Sequence, residues 1–175
     1  MATRSSDRDE GLDDRDTIAT LRTGHAVGAW LFKANPAVWD IGAFLRSGAP
    51  LDRWRMAPSY RVDLVEPGQP CALWVTNGDP RLPPGIWAVG EVANFPFEDV
   101  GDPTDELWRD RGDARHVRPY VDLVMDVLAV GVPRDVIRAD PRLGDMEIFR
   151  APRVASPVAV GPGEWRALSE LIERG

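Results

Sequence analysis

The chain has 175 residues, enough for one domain with a proper core and too few for two, and 43% hydrophobic with 28% charged residues is an ordinary globular composition. A formal net charge of −7 argues against a protein that grips long DNA over its whole surface, because phosphate contacts need clustered Arg and Lys; capture of a single nucleotide in a pocket stays open. Cys71 is the only cysteine, which excludes an internal disulfide and multi-cysteine zinc sites, and no apolar run approaches the ~20 residues of a membrane helix, so a soluble, cytoplasmic protein without membrane association is expected.

Residues 1–24 hold six acids, four arginines and no aromatic residue. Such a segment buries too little apolar surface to offset its ordering entropy, so an acidic disordered tail is expected, followed by one domain over residues 25–175. Ala29 to Lys33 reads as the first strand, ended by Asn35-Pro36, since the residue before proline is biased towards a turn. Trp39 to Arg46 fits a short helix, with Asp40 as cap and Ser47-Gly48 as stop. Pro50 to Gln69 is irregular and rich in ligand-contacting side chains. From Arg46 to Arg61 it carries four arginines against one acid, Asp52, a local positive patch in an acidic chain. Val62 to Val65 reads as a short strand.

Cys71 to Thr76 and Ile86 to Val92 are strands joined by the loop Asn77 to Gly85, a hairpin pattern. Cys71 itself reads as a buried, inert thiol. Asn94 to Arg118 shows no period and reads as a lid or a poorly ordered insertion. Tyr120 to Val130 alternates, with Val121, Leu123, Met125, Val127 and Ala129 on one strand face and Asp122 and Asp126 on the other. Pro133 to Ala139 reads as one or two helical turns. Glu164 to Arg174 is a closing helix, with Trp165, Leu168, Leu171 and Ile172 at helical spacing. Several strands, few long helices and Pro/Gly-rich loops suggest an α+β, mainly β fold: a small, partly open β-barrel with short flanking helices.

Lys33 is the only lysine, and the chain holds neither a Walker phosphate loop nor a G-x-S-x-G elbow. His25 and His116 are not at metal-ligand spacing. No catalytic group, metal site or cofactor is therefore expected. What remains is aromatic and polar: Trp30, Trp39, Trp54, Tyr60, Trp74 and Trp87, beside Asn35, Ser59, Thr76 and Asn77. Tryptophan offers a flat apolar face that suits base stacking as well as core packing. In strands, Trp30, Trp74 and Trp87 favour the core; Trp54, in an arginine-flanked irregular segment, has an equal claim to a ligand.

Five pieces in order resemble the EVE domain, of the PUA-like superfamily that also includes YTH and ASCH domains. They are Trp30-Leu31-Phe32-Lys33-Ala34-Asn35-Pro36; Trp54 followed by Ser59-Tyr60-Arg61; Gly68 ahead of Trp74-Val75-Thr76-Asn77; Gly85-Ile86-Trp87-Ala88-Val89-Gly90-Glu91-Val92; and Asp145-Met146, Arg150, Ser156-Pro157-Val158 and Glu164-Trp165. Ala34-Asn35 stands where the family has Ser-Glu, and Ser59 where it has Asn. The resemblance implies a PUA-like barrel with an aromatic-lined pocket for a modified base, in DNA (modified cytosine) or RNA. Lys33 and Asn35 would lie at its rim and Trp54 would be a stacking wall. Ser59 and Tyr60 would touch the base or its phosphate, Thr76 and Asn77 would read polar edges, and Trp74 would also bind the ligand. Arg55 and Arg61 would hold flanking phosphates, and Phe95, Phe97 or Trp108 would close over the pocket. A partner nuclease or modification enzyme would act on what the domain binds. The alternative is a small enzyme or small-molecule-binding protein of the PUA/ASCH type acting on a nucleoside or related metabolite.

Overall fold

The computed structural model describes residues 18–174. Strand β1 (Ala29–Ala34) organises it, with Trp30, Leu31 and Phe32 fully buried. Side chains of successive residues point to opposite sides, so an unbroken apolar run belongs to a strand covered on both faces. β1 runs parallel to β3 (Pro70–Val75), Trp30 opposite Cys71, and antiparallel to β7 (Val158–Val160), Leu31 opposite Val158. β3 pairs antiparallel with β4 (Gly85–Val92), and β4 with the long β6 (Arg118–Pro133). β6 also carries two short strands, β2 (Arg53–Arg55) and β5 (Phe97–Asp99). The sheet order is β2-β6-β4-β3-β1-β7, with β5 on β6. Its ends curl together where Ala57, just past β2, donates its amide to the Ser156 carbonyl, just before β7, at 3.0 Å. The result is the mainly β, partly open barrel expected from the sequence.

Short helices flank it. α1 (Ile41–Ser47) is capped by the Asp40 carboxylate, which accepts from the Ala43 amide at 2.9 Å, and stops at Gly48, whose φ of +70° suits glycine. α2 (Arg111–Ala114), α3 (Arg134–Ala139) and α4 (Glu147–Arg150) are one or two turns each. α5 (Pro162–Glu173) lays Ala167 and Leu168 against Leu31, Val158 and Val160 on the outer face of the sheet. The inner face packs Trp30 and Phe32 on Met56, Val65, Val121 and Leu123. Each large apolar side chain so buried contributes roughly 1.5–3 kcal/mol.

Five expectations change. Arg53–Arg55 is an edge strand, Trp54 opposite Val121; three residues are too few to show a period. Val62 to Val65 is not a strand but a 3-10 turn, Val62–Leu64, because the chain must reverse between β2 and β3 and Val65 bonds back to the Val62 carbonyl. The alternation of Tyr120 to Val130 holds at Val121 and Leu123 and then fails: Val127 is exposed, and because it pairs with Ala88 while Val132 pairs with Ile86, the residues between them form a bulge. The segment between Asn94 and Arg118 packs against the barrel through β5 and α2. The tail expected over residues 1–24 lies outside the described residues up to position 17; beyond it, Leu21 is buried in a turn closed by its bond to the His25 carbonyl.

Gly90 marks the closest approach of β4 to β6. A Cβ there would run into the Val124 carbonyl oxygen and lie 2.8 Å from the Met125 Cα, both backbone. Gly90→Ala is expected to cost about 3 kcal/mol, the upper end for overpacking, because backbone cannot swing aside as a side chain does. That lowers the melting temperature by roughly 6–12 °C; an unchanged melt would mean that the strands separate freely there.

Candidate ligand-binding site

A cavity of about 630 Å³ opens where β1 runs out, at the mouth of the barrel. Its size is that of a small-molecule pocket. Two walls are tryptophans placed by local chemistry. The Asn35-Pro36 turn is closed by the Asn35 carboxamide oxygen, which accepts from the Ala37 amide at 3.0 Å, and by the Trp39 amide on the Asn35 carbonyl at 3.1 Å. This sets Trp39 against Trp54 of β2, ring centroids 5.8 Å apart and planes at 79°. Trp54 is fixed in turn by its Nε1–H, which donates to the Lys33 carbonyl at 3.3 Å. A third tryptophan, Trp108, comes from the segment between β5 and α2. That segment is latched: Trp39 Nε1 donates to Asp105 at 3.1 Å, Asp40 accepts from the Arg109 guanidinium at 2.7 Å, and the Asp40 amide donates to the Leu107 carbonyl at 2.8 Å.

The polar lining is mostly self-satisfied. Arg55 grips Asp113 through two bonds, 2.7 and 3.0 Å, with its guanidinium 5.5 Å from the Trp108 ring centre. Those bonds hold the Asp113 carboxyl below the usual carboxylate range. Arg53 is tied to Asp99 and Asp122 at 3.1 and 3.0 Å. The Lys33 ammonium donates to the carbonyls of Pro152 and Val154 at 3.0 and 2.8 Å, and burial lowers its pKa from the ordinary lysine value. Burial pushes the Tyr120 hydroxyl up, so it stays a neutral phenol able to donate or accept. The Tyr120 hydroxyl and the carboxamide nitrogen of Asn35 make no hydrogen bond among the described residues.

Of the residues singled out from the sequence, Lys33, Asn35, Trp54 and Arg55 converge on this cavity, and Trp108 closes over it. The others go elsewhere. Ser59 lines a second cavity of about 600 Å³, beside Phe97 and Phe95, the latter 66% exposed. Tyr60 lies under the Arg22 guanidinium, 4.2 Å from its ring centre. Trp74, 3% exposed, packs edge-on against Phe149 in the core beneath α5. Thr76 bonds the Ala34 carbonyl at 3.2 Å, and Asn77 is exposed in the β3–β4 loop. Arg61 spends its guanidinium on Glu147 at 2.7 and 2.8 Å and on the Pro157 carbonyl at 3.3 Å, so it is an internal clamp and not a free phosphate contact. Ser59, Tyr60 and Arg61 share one reason: after Ala57 the chain closes onto Ser156 and leaves the mouth.

Trp39, Arg118 and Tyr120 were not assigned to the site from the sequence. Tyr120 left a trace, an aromatic residue in step with Asp122 on the polar face of the strand; Arg118 left none. Among the described residues, no three His, Cys, Asp or Glu side chains are placed to hold a metal ion, and no helix is long and apolar enough to cross a membrane.

Residues 28–171 match the family model of the EVE domain. Similar folds occur in a Pseudomonas putida protein (17% identity, TM-score 0.58, 82% of this chain and 99% of that one) and in a hypothetical protein from Leishmania major (16%, 0.57, 85% and 96%). The DUF55 domain of human thymocyte nuclear protein 1 is another (15%, 0.54, 84% and 99%). No curated protein matches the sequence significantly. With the family's model spanning β1 to α5 and these solved neighbours sharing its curled, mainly β fold, the chain belongs to the EVE domain family.

Proposed function

We propose that this protein is a non-catalytic reader of a modified nucleobase, a modified cytosine in DNA or a modified base in RNA, held in the tryptophan-lined cavity. The observation that carries this reading is the convergence of Trp39, Trp54 and Trp108 on one cavity, with a neutral phenol and a carboxamide beside them. Aromatic walls stack a flipped or unpaired base whatever its identity, and polar groups at the edge select among bases. A partner nuclease or modification enzyme would supply the chemistry. A free nucleoside in the same cavity is the second reading, favoured by the engagement of Arg55 and Arg61 with internal carboxylates, which leaves few cations for a long phosphate backbone.

The test is a tryptophan-fluorescence titration with short single-stranded and duplex oligonucleotides. They carry cytosine, 5-methylcytosine, 5-hydroxymethylcytosine or N6-methyladenine, with RNA counterparts and the free nucleosides. Saturable quenching by one modified base and weak quenching by its parent is expected. A flat response to every oligonucleotide with a response to a nucleoside selects the second reading; no response at all removes both.

A further inference from the structure

Both arginines first matched to phosphate are locked by carboxylates: Arg55 by Asp113, Arg61 by Glu147. Arg53, also at the cavity, is shared between Asp99 and Asp122. The Lys33 ammonium is held by two backbone carbonyls. A guanidinium that already makes a two-pronged bond has little left for a ligand, and breaking the bond exposes a carboxylate that repels phosphate.

One cation in the lining is different. Arg118 opens β6 and makes no ion pair among the described residues; its guanidinium makes a long hydrogen bond, 3.3 Å, to the adjacent Val117 carbonyl. Arg118 and Tyr120 are two apart on the strand and so point to the same side, which places the guanidinium beside the phenol that faces the cavity. The nearby Asp113 feels the Arg118 charge, but its two oxygens already accept from Arg55. The two other acids of the lining are also occupied: Asp105 by Trp39, Asp102 by the hydroxyl and amide of Thr104.

We propose that Arg118 is the phosphate-contacting residue of the site, that it reads one phosphate flanking the bound base, and that Arg55 positions Trp108 and Asp113 without touching the ligand. This deepens the reader assignment and rests on it. The substrate class that follows is a nucleotide gripped at a single phosphate, with the neighbouring backbone left in solvent.

The experiment compares 5-methyl-2′-deoxycytidine, 5-hydroxymethyl-2′-deoxycytidine, N6-methyl-2′-deoxyadenosine and their ribonucleoside counterparts, each with its 3′,5′-bisphosphate, by calorimetry at several salt concentrations. For the member that binds wild type, the bisphosphate should bind about tenfold tighter than the nucleoside, a charge-assisted hydrogen bond at an exposed rim. The plot of log affinity against log salt should have a negative slope for the bisphosphate, because salt screens a contact between charges, and none for the nucleoside. Arg118→Ala should bind nucleoside and bisphosphate equally, with the slope near zero and the melting temperature unchanged; Arg118→Lys should keep the slope. Equal binding of both forms by wild type, or an undiminished phosphate preference in Arg118→Ala, overturns the assignment and leaves base reading intact. No binding of any member by wild type overturns base reading and the assignment with it.

Discussion

An Arg61→Ala protein is expected to unfold about 3 kcal/mol more easily than wild type, the low end for a buried pair that loses one partner. The two side chains are only 13% and 20% exposed, and the guanidinium fork meets both carboxylate oxygens. The pair spans the fold: Arg61 follows β2, Glu147 opens α4, and Glu147 also accepts from the Ala159 amide of β7 at 3.1 Å. Removing Arg61 strands a carboxylate, and Glu147→Gln strands the guanidinium. Both should lower the melting temperature by roughly 6–12 °C, with Arg61→Lys in between because an ammonium cannot form the fork.

The same pair sets a pH signature. Burial pushes the Glu147 carboxyl up, but the Arg61 bonds and the Ala159 amide overcome it and hold the group below its ordinary value. A depressed carboxyl stabilises the fold fully above its unfolded pKa of about 4.3, and that contribution is lost as pH falls through the folded value. Wild type and Arg61→Ala should therefore differ most at neutral pH and converge as the pH drops below about 4. A difference in unfolding free energy that stays constant down to pH 2 would mean that the charge pair does not carry the effect.

The second large effect is on binding. Trp54→Ala should weaken the best oligonucleotide of the fluorescence panel roughly tenfold to a hundredfold, the loss of one stacking wall. Calorimetry is the proper readout, since the substitution removes part of the fluorescence signal. Trp54 is half-buried and packs both on the core around Trp30 and Phe32 and on a second apolar cluster that includes Ile41, Leu51 and Leu73, so some stability is lost as well. Trp54→Phe separates the two contributions: it keeps an aromatic face and gives up only the bond to the Lys33 carbonyl, and it should retain most of the affinity. A folded Trp54→Ala protein with wild-type affinity would rule out this cavity as the base site.

How far the sequence reaches depends on the length of the signal. β1, the β3–β4 hairpin and α5 are long enough for apolar runs, turn residues and helical spacing to declare themselves, and the structure places them within a residue or two of expectation. β2 and β5, three residues each, exist only because β6 offers an edge, a long-range fact that no local pattern holds. The site divides in the same way. Lys33 and Asn35 are legible because a strand end and a proline turn fix them locally; Trp54 stands out only by its arginine neighbours and by the family resemblance, not by any strand pattern. Arg61 and Trp74 mislead because the type of a side chain does not reveal its partner: Glu147 and Phe149 arrive from far along the chain. Arg118 was silent for the complementary reason, that a lack of partners is visible only once every carboxylate has been placed.

The pairing of β1 with both β3 and β7 bears on whether the site can be transplanted. A peptide of residues 30–60 would contain Lys33, Asn35, Trp39, Trp54 and Arg55, yet it would contain no cavity. The Lys33 carbonyl that anchors Trp54 sits on a strand held from one side by Trp74 and from the other by segments beginning at Val158, and Trp108 and Tyr120 come from between them. Every cut from residue 35 to residue 157 parts β1 from at least one neighbour. Grafting a few residues onto another scaffold would therefore move the letters of the motif without its geometry, and the domain can be borrowed only whole.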